Sequence, residues 1–132
     1  MADGRRPPLH PVDAVLLDVP CLGTGTLARH PDARWRISRR ALQSLVRLQS
    51  QLLEQTAPLV RPGGLLLYST CSLEPEENRL QVERFLENHP EFRREATHAL
   101  PPDLLTAEGD LFALPQVHGI DGAYAARLRR SR

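Results

Sequence analysis

Apolar positions along this chain follow two patterns. Val12–Val19 is a nearly continuous β-favouring run closed by Pro20, and its lack of alternation suits a strand buried on both faces of a parallel sheet. At Ile37, Ala41, Leu45, Leu48 and Leu52, with Leu42 and Leu53 beside them, apolar residues recur every three or four positions. Arginine and glutamine fill the opposite face, which predicts an amphipathic helix capped by Ser38 and ending near Leu59. Pro62-Gly63-Gly64 interrupts the chain, and Leu65–Thr70 is a second apolar strand ending at Cys71. Strand, helix and strand in that order predict a βαβ unit with two parallel neighbouring strands.

A second helix is expected from about Pro75 to Asn88, since proline is tolerated in a first turn and Glu74, Glu76 and Glu77 suit the positive end of a helix dipole. Val82, Phe85 and Leu86 define its buried stripe, and Asn78 falls on the same face, where its amide needs partners. His89-Pro90 stops it, and residues 91–108 read as irregular chain. Asp110–Leu114 and Ala123–Leu128 are short strands, and the turn-rich stretch His118–Gly122 between them suits an antiparallel hairpin. Residues 1–11 offer little to bury and read as an arm or as the end of a missing segment.

Composition narrows the possibilities. At 132 residues the chain supports one small domain. No apolar run approaches the roughly 20 residues that cross a bilayer, so the expectation is a cytoplasmic protein with no membrane partner. Basic residues number 17, all arginine, against 16 acids, so net charge by itself indicates no partner. Its distribution does. Residues 29–47 hold six arginines and one acid, a local +5, whereas residues 73–95 hold seven acids and four arginines, a local −3. That asymmetry favours a polyanion approaching Arg29, Arg34 and the first helix, against the plain alternative of a solvated face. Trp35 offers a base a stacking surface, although a tryptophan at the mouth of an amphipathic helix is more often a packing anchor.

The two cysteines, Cys21 and Cys71, are too few for a disulfide framework or a four-thiolate zinc site. They are core filler, a redox pair or chemistry. Ligands of open parallel sheets bind beyond the carboxyl ends of the strands, and both cysteines fall at such ends, each followed by polar loop residues. Strands lie about 4.8 Å apart, so thiols fifty positions apart in sequence can be neighbours in space. Gly23-Thr24-Gly25-Thr26-Leu27-Ala28 also fits the dinucleotide fingerprint G-x-G-x-x-A after a strand. Against that, His30-Pro31 prevents a helix from opening there and no acid stands about twenty positions on to hold a ribose. These glycines are instead expected to let backbone approach a substrate or the second cysteine's loop.

Asp18-Val19-Pro20-Cys21-Leu22-Gly23-Thr24-Gly25, Arg29-His30-Pro31-Asp32 and Trp35, then Tyr68-Ser69-Thr70-Cys71-Ser72 with Glu76-Glu77-Asn78, resemble the RsmB/Nop/Sun family of RNA cytosine-C5 methyltransferases. Leu114-Pro115-Gln116 and Asp121–Leu128 resemble that family's final hairpin, so the likeness runs over nearly the whole chain. It implies an α/β fold: part of a class I, Rossmann-like methyltransferase, with two parallel strands and a crossover helix, a second helix and a C-terminal antiparallel hairpin. It further implies S-adenosylmethionine as methyl donor and RNA with an unstacked cytosine, most naturally rRNA, as substrate. Cytosine C5 is too weak a nucleophile to accept a methyl group unaided, so a thiolate first adds at C6. By resemblance Cys71 is that nucleophile and Cys21 helps to resolve the adduct. Asp18 lies where donor and base meet, Pro20 shapes the base pocket with Gly23, Thr24 and Gly25 beside it, and Arg29, Arg34, Trp35 and Asn78 are further candidates for substrate contact. Asp3 matches an acidic turn near the donor's adenine.

Two departures stand out. Leu22 replaces the serine that usually follows the first cysteine, which costs a hydrogen bond but leaves the nucleophile. The likeness also begins at the end of the third strand of the methyltransferase fold. Residues 1–132 are therefore expected to be the C-terminal part of a catalytic domain, without its first three strands, its glycine-rich donor loop or an N-terminal RNA-binding domain. The strand at Val12–Val19 would then present an apolar edge, to be paired by a second chain, another copy or an upstream segment. The alternative from another class is a non-catalytic RNA-binding or interaction module derived from this fold.

Overall fold

The computed structural model describes residues 10–132. Strand β1 (Val12–Asp18) runs parallel to β2 (Val60–Thr70), and helix α1 (Arg39–Thr56) connects them. The expected βαβ unit is thus present. Ser38 caps α1 as its pattern predicts, its hydroxyl accepting from the Ala41 N–H at 3.0 Å, and a 3-10 turn over Ala57–Leu59 completes the helix. The strand pairing jumps from Val12↔Val60 to Ala14↔Leu65, so the Pro62-Gly63-Gly64 interruption is a bulge inside β2 rather than a loop before it. Pro62 has no N–H to give to the ladder.

Helix α2 spans Arg79–Asn88, later than the predicted start at Pro75. Residues 75–78 are turns, and Asn78 leaves helical geometry at φ −111°, ψ −107° because its side chain is drawn toward the end of β2. The glutamates expected in a first helical turn therefore lie ahead of the helix. Residues 91–108 are less irregular than their sequence suggests. They contain β3 (Phe92–Arg94), whose three residues are too few to show a period, and a 3-10 turn over Pro102–Leu104. The C-terminal pair forms as expected: β4 (Leu111–Ala113) is antiparallel to β5 (Ala123–Arg130), though a short helix α3 (Pro115–His118) lies between them.

Strand order is β1-β2-β5-β3, with β4 also beside β5. Leu66, Tyr68, Tyr124, Ala126 and Leu128 face Leu52 and Leu53 of α1 and Val82 and Phe85 of α2, making one buried core. Val15 and Leu17 pack at its margin. Their alternates Ala14, Leu16 and Asp18 are exposed, and Leu16 is 67% so. The reading of β1 as buried on both faces is therefore corrected, because both helices lie on one side of the sheet; among the described residues no strand pairs beyond β1. Among the described residues no helix is long and apolar enough to cross a membrane.

Candidate active site

The parallel pairing of β1 and β2 carries Asp18 beside Ser69 and ends both strands on one rim. Cys21 and Cys71 follow directly, and their Sγ atoms stand 3.2 Å apart. Both are half-buried free thiols. Burial, reinforced by the hydrogen bond to Cys71, pushes the Cys21 thiol up to about 12, so Cys21 keeps its proton at neutral pH. Neither cysteine is among the buried core residues.

Asn78 holds the loop of Cys71 in place. Its buried amide accepts from the Thr70 hydroxyl at 2.5 Å and donates to the Ser72 carbonyl at 2.8 Å. Proposed as a substrate contact, Asn78 instead has both ends of its amide engaged on the residues flanking Cys71. Thr24 is likewise a strut: its hydroxyl accepts from the Leu73 N–H at 2.8 Å and sits 3.3 Å from the Ser72 hydroxyl. Gly25 is wedged between loops, donating to the Cys71 carbonyl at 2.9 Å and accepting from Gly122 at 2.7 Å. Gly23 adopts φ 71°, in the left-handed region that favours glycine, and a side chain there would come within 3.9 Å of the Cys71 sulfur. Residues 24–26 form only a 3-10 turn, so no helix N-terminus is offered to a pyrophosphate and the dinucleotide reading loses its geometry.

The Asp18 carboxylate accepts from the Ser69 hydroxyl at 2.8 Å on the exposed rim, and the Pro20 ring is exposed beside Cys21. Arg29 is tied to Asp121 at 2.9 Å, which joins the first loop to the segment before β5. Arg34 lies 5.9 Å from the Trp35 ring. Trp35 is 84% exposed, so the packing-anchor role fails and its face is open to solvent. Asp3 falls outside the described residues.

Two site residues escape a reading of the sequence. Gln49 and Glu77 are each 0% exposed and hold the Cys21 loop from behind. Gln49 was detectable as a polar residue on the apolar stripe of α1, between Leu45 and Leu52; nothing in the sequence marks Glu77 as buried.

The chain matches the family model described as 16S rRNA methyltransferase RsmB/F over residues 1–129. It belongs to the RsmB/F family. Relatives include a probable ribosomal RNA small subunit methyltransferase B of Synechocystis, 46% identical over 97% of this chain and 29% of its own length. The ribosomal RNA small subunit methyltransferase B of Thermus thermophilus is 43% identical over 97% of this chain and 32% of its own. Among solved structures, NSun6 from Pyrococcus horikoshii with SFG superposes with a TM-score of 0.85 at 25% identity, covering 99% of this chain and 34% of that one. A methyltransferase homologue from the same organism gives 0.74 at 32% identity, over 92% and 40%. This RsmB/F chain thus spans about a third of the length of these curated relatives, and its mixed sheet is that of the family's methyltransferases.

Proposed function

We propose that this chain is the C-terminal part of the catalytic domain of an RNA cytosine-C5 methyltransferase acting on rRNA, with Cys71 as nucleophile and Cys21 as the group that resolves the adduct. The observation that carries the reading is the pair of sulfurs 3.2 Å apart at the sheet's rim, one of them held as a thiol. Cys71 Sγ bonds to C6 of an unstacked cytosine, which makes C5 electron-rich. C5 accepts the methyl group and then loses its proton to a water molecule acting as base. The electrons of the C5–H bond restore the ring double bond as the C6–S bond breaks, and sulfur leaves as thiolate. Cys21, in contact with that sulfur, is placed to take part in proton movement during release.

S-adenosylmethionine, when bound, supplies an electrophilic sulfonium methyl group. Asp18 is the described residue suited to the donor: its exposed carboxylate engages only one oxygen with Ser69, at the end of the uncovered strand. Support for this donor comes from the family and from the NSun6 structure, whose SFG is an S-adenosylmethionine analogue. Most of its site is inferred to lie on a segment that continues the sheet beyond β1. The edge of β1, beyond which no strand pairs among the described residues, supports that inference. The open face of Trp35 and the arginines around it suit a single-stranded RNA segment.

The test is methyl transfer to RNA by the chain combined with an upstream segment carrying the remaining strands. Cys71→Ala abolishes transfer, and Cys21→Ala leaves a covalent protein–RNA adduct. Retained turnover in Cys71→Ala would remove Cys71 as nucleophile, and transfer by the 132-residue chain on its own would show that no completing segment is needed.

A further inference from the structure

Cys21 lies between two peptide groups that are clamped from the helical layer. The carbonyl before it, of Pro20, accepts from Gln49 Nε2 at 2.9 Å. The N–H after it, of Leu22, donates to both oxygens of Glu77, at 3.1 and 3.3 Å. Gln49 Nε2 also donates to Glu77 Oε1 at 3.0 Å, so the two side chains form one unit. Glu77 is itself located from behind, because its carbonyl accepts the Tyr68 hydroxyl at 2.6 Å.

Packing does not call for such groups. Gln49 and Glu77 are fully buried in a layer whose other inward residues include Leu52, Leu53, Val82 and Phe85. Taking a carboxylate and an amide out of water costs several kcal/mol unless their hydrogen bonds are met, and apolar residues of similar volume are often as stable or more so. Gln49 Oε1 even lacks a hydrogen-bond partner. What the pair achieves is geometric: it locks the peptide groups on either side of Cys21 and so sets the direction of its side chain.

We propose that Glu77 and Gln49 are positioning residues that hold the Cys21 sulfur against Cys71, and that they serve adduct resolution rather than adduct formation. The second clause rests on the proposed methyltransferase reading; the first does not.

The test uses Gln49→Leu, which keeps volume and fold, with Glu77→Gln, and Val82→Ala as a core variant that loses stability without touching the loop. Purified chains are alkylated with iodoacetamide and each cysteine's rate is read by peptide mass spectrometry. Release of the loop exposes Cys21 and removes the environment that keeps it protonated, so its rate rises at least about tenfold in Gln49→Leu and Glu77→Gln. In Val82→Ala it stays within about twofold of the parent. Unchanged Cys21 reactivity in both clamp variants, or an equal rise in Val82→Ala, would overturn the positioning role. In the reconstituted enzyme the clamp variants accumulate covalent RNA adduct as Cys21→Ala does; slowed adduct formation instead would overturn the assignment to resolution. Absence of any adduct in Cys21→Ala would sink the methyltransferase reading while leaving the alkylation result intact.

Discussion

Gly25→Ala is the substitution whose cost follows most directly from the structure. A Cβ at this position would lie 2.6 Å from the Gly122 carbonyl oxygen, 2.7 Å from its Cα and 2.8 Å from the Cys71 carbonyl oxygen. All three are backbone atoms, so relief requires the segments to part by roughly 0.7 Å or more to regain ordinary van der Waals separation. Overpacking of this kind costs about 1–3 kcal/mol. Stretching the bonds from Gly25 to Cys71 and from Gly122 to Gly25 adds up to about 1 kcal/mol each. The expected total is about 1–5 kcal/mol, a large share of a small domain's stability. At about 4 °C per kcal/mol for a chain of this size, Tm falls by about 4–20 °C. Gly23→Ala is the internal comparison. There a side chain meets only ordinary contacts, at 3.5 and 3.9 Å, and the cost is the left-handed φ of 71°, about 1–2 kcal/mol. Thermal melts followed by circular dichroism, with urea titrations at 25 °C, measure both. A Gly25→Ala chain melting within about 3 °C of the parent, or a larger loss in Gly23→Ala, would refute the claim that Gly25 serves close approach of backbone to the Cys71 loop.

Tyr68→Phe removes the buried hydroxyl that donates to the Glu77 carbonyl at 2.6 Å, and urea unfolding should show a loss of about 1–3 kcal/mol. His89 bridges Glu54 of α1 and Glu91 ahead of β3, at 2.9 and 3.1 Å. Burial disfavours its charge, but hydrogen bonds to Glu91 and then Glu54 outweigh that and raise the pKa above 6.5. The bridge therefore adds stability that is full below pH 6.5 and is lost as pH rises through the folded-state value. Across pH 5–9 the difference in unfolding free energy between the parent and His89→Gln should shrink with rising pH, and a constant difference would contradict the bridge. Trp35 is the sole tryptophan and 84% exposed, so single-stranded RNA should quench the chain's tryptophan fluorescence, with an affinity that falls steeply as salt increases.

Hydrophobic period and turn chemistry by themselves determine the parallel βαβ unit, the Ser38 cap, the C-terminal antiparallel pair and the placement of both cysteines at strand ends. These are local properties: a 3.6-residue period, a capping hydroxyl or an apolar run is written in adjacent residues. The motifs around Cys21 and Cys71 likewise suffice to indicate the family. Tertiary structure alone decides the rest, because burial depends on what packs from elsewhere in the chain. Val12–Val19 has the composition of a doubly buried strand, yet Ala14, Leu16 and Asp18 are exposed because both helices pack on the other face of the sheet. Phe92–Arg94 is a strand only because β5 offers it a partner. Asn78 turns inward to hold Thr70 and Ser72, Trp35 turns outward, and Glu77 is buried with Gln49 behind Cys21, although its charged neighbours Glu74 and Glu76 look the same in sequence. The 3.2 Å between the two sulfurs belongs to this second class. It arises where two strand ends and two helices meet, and no stretch of adjacent residues contains it.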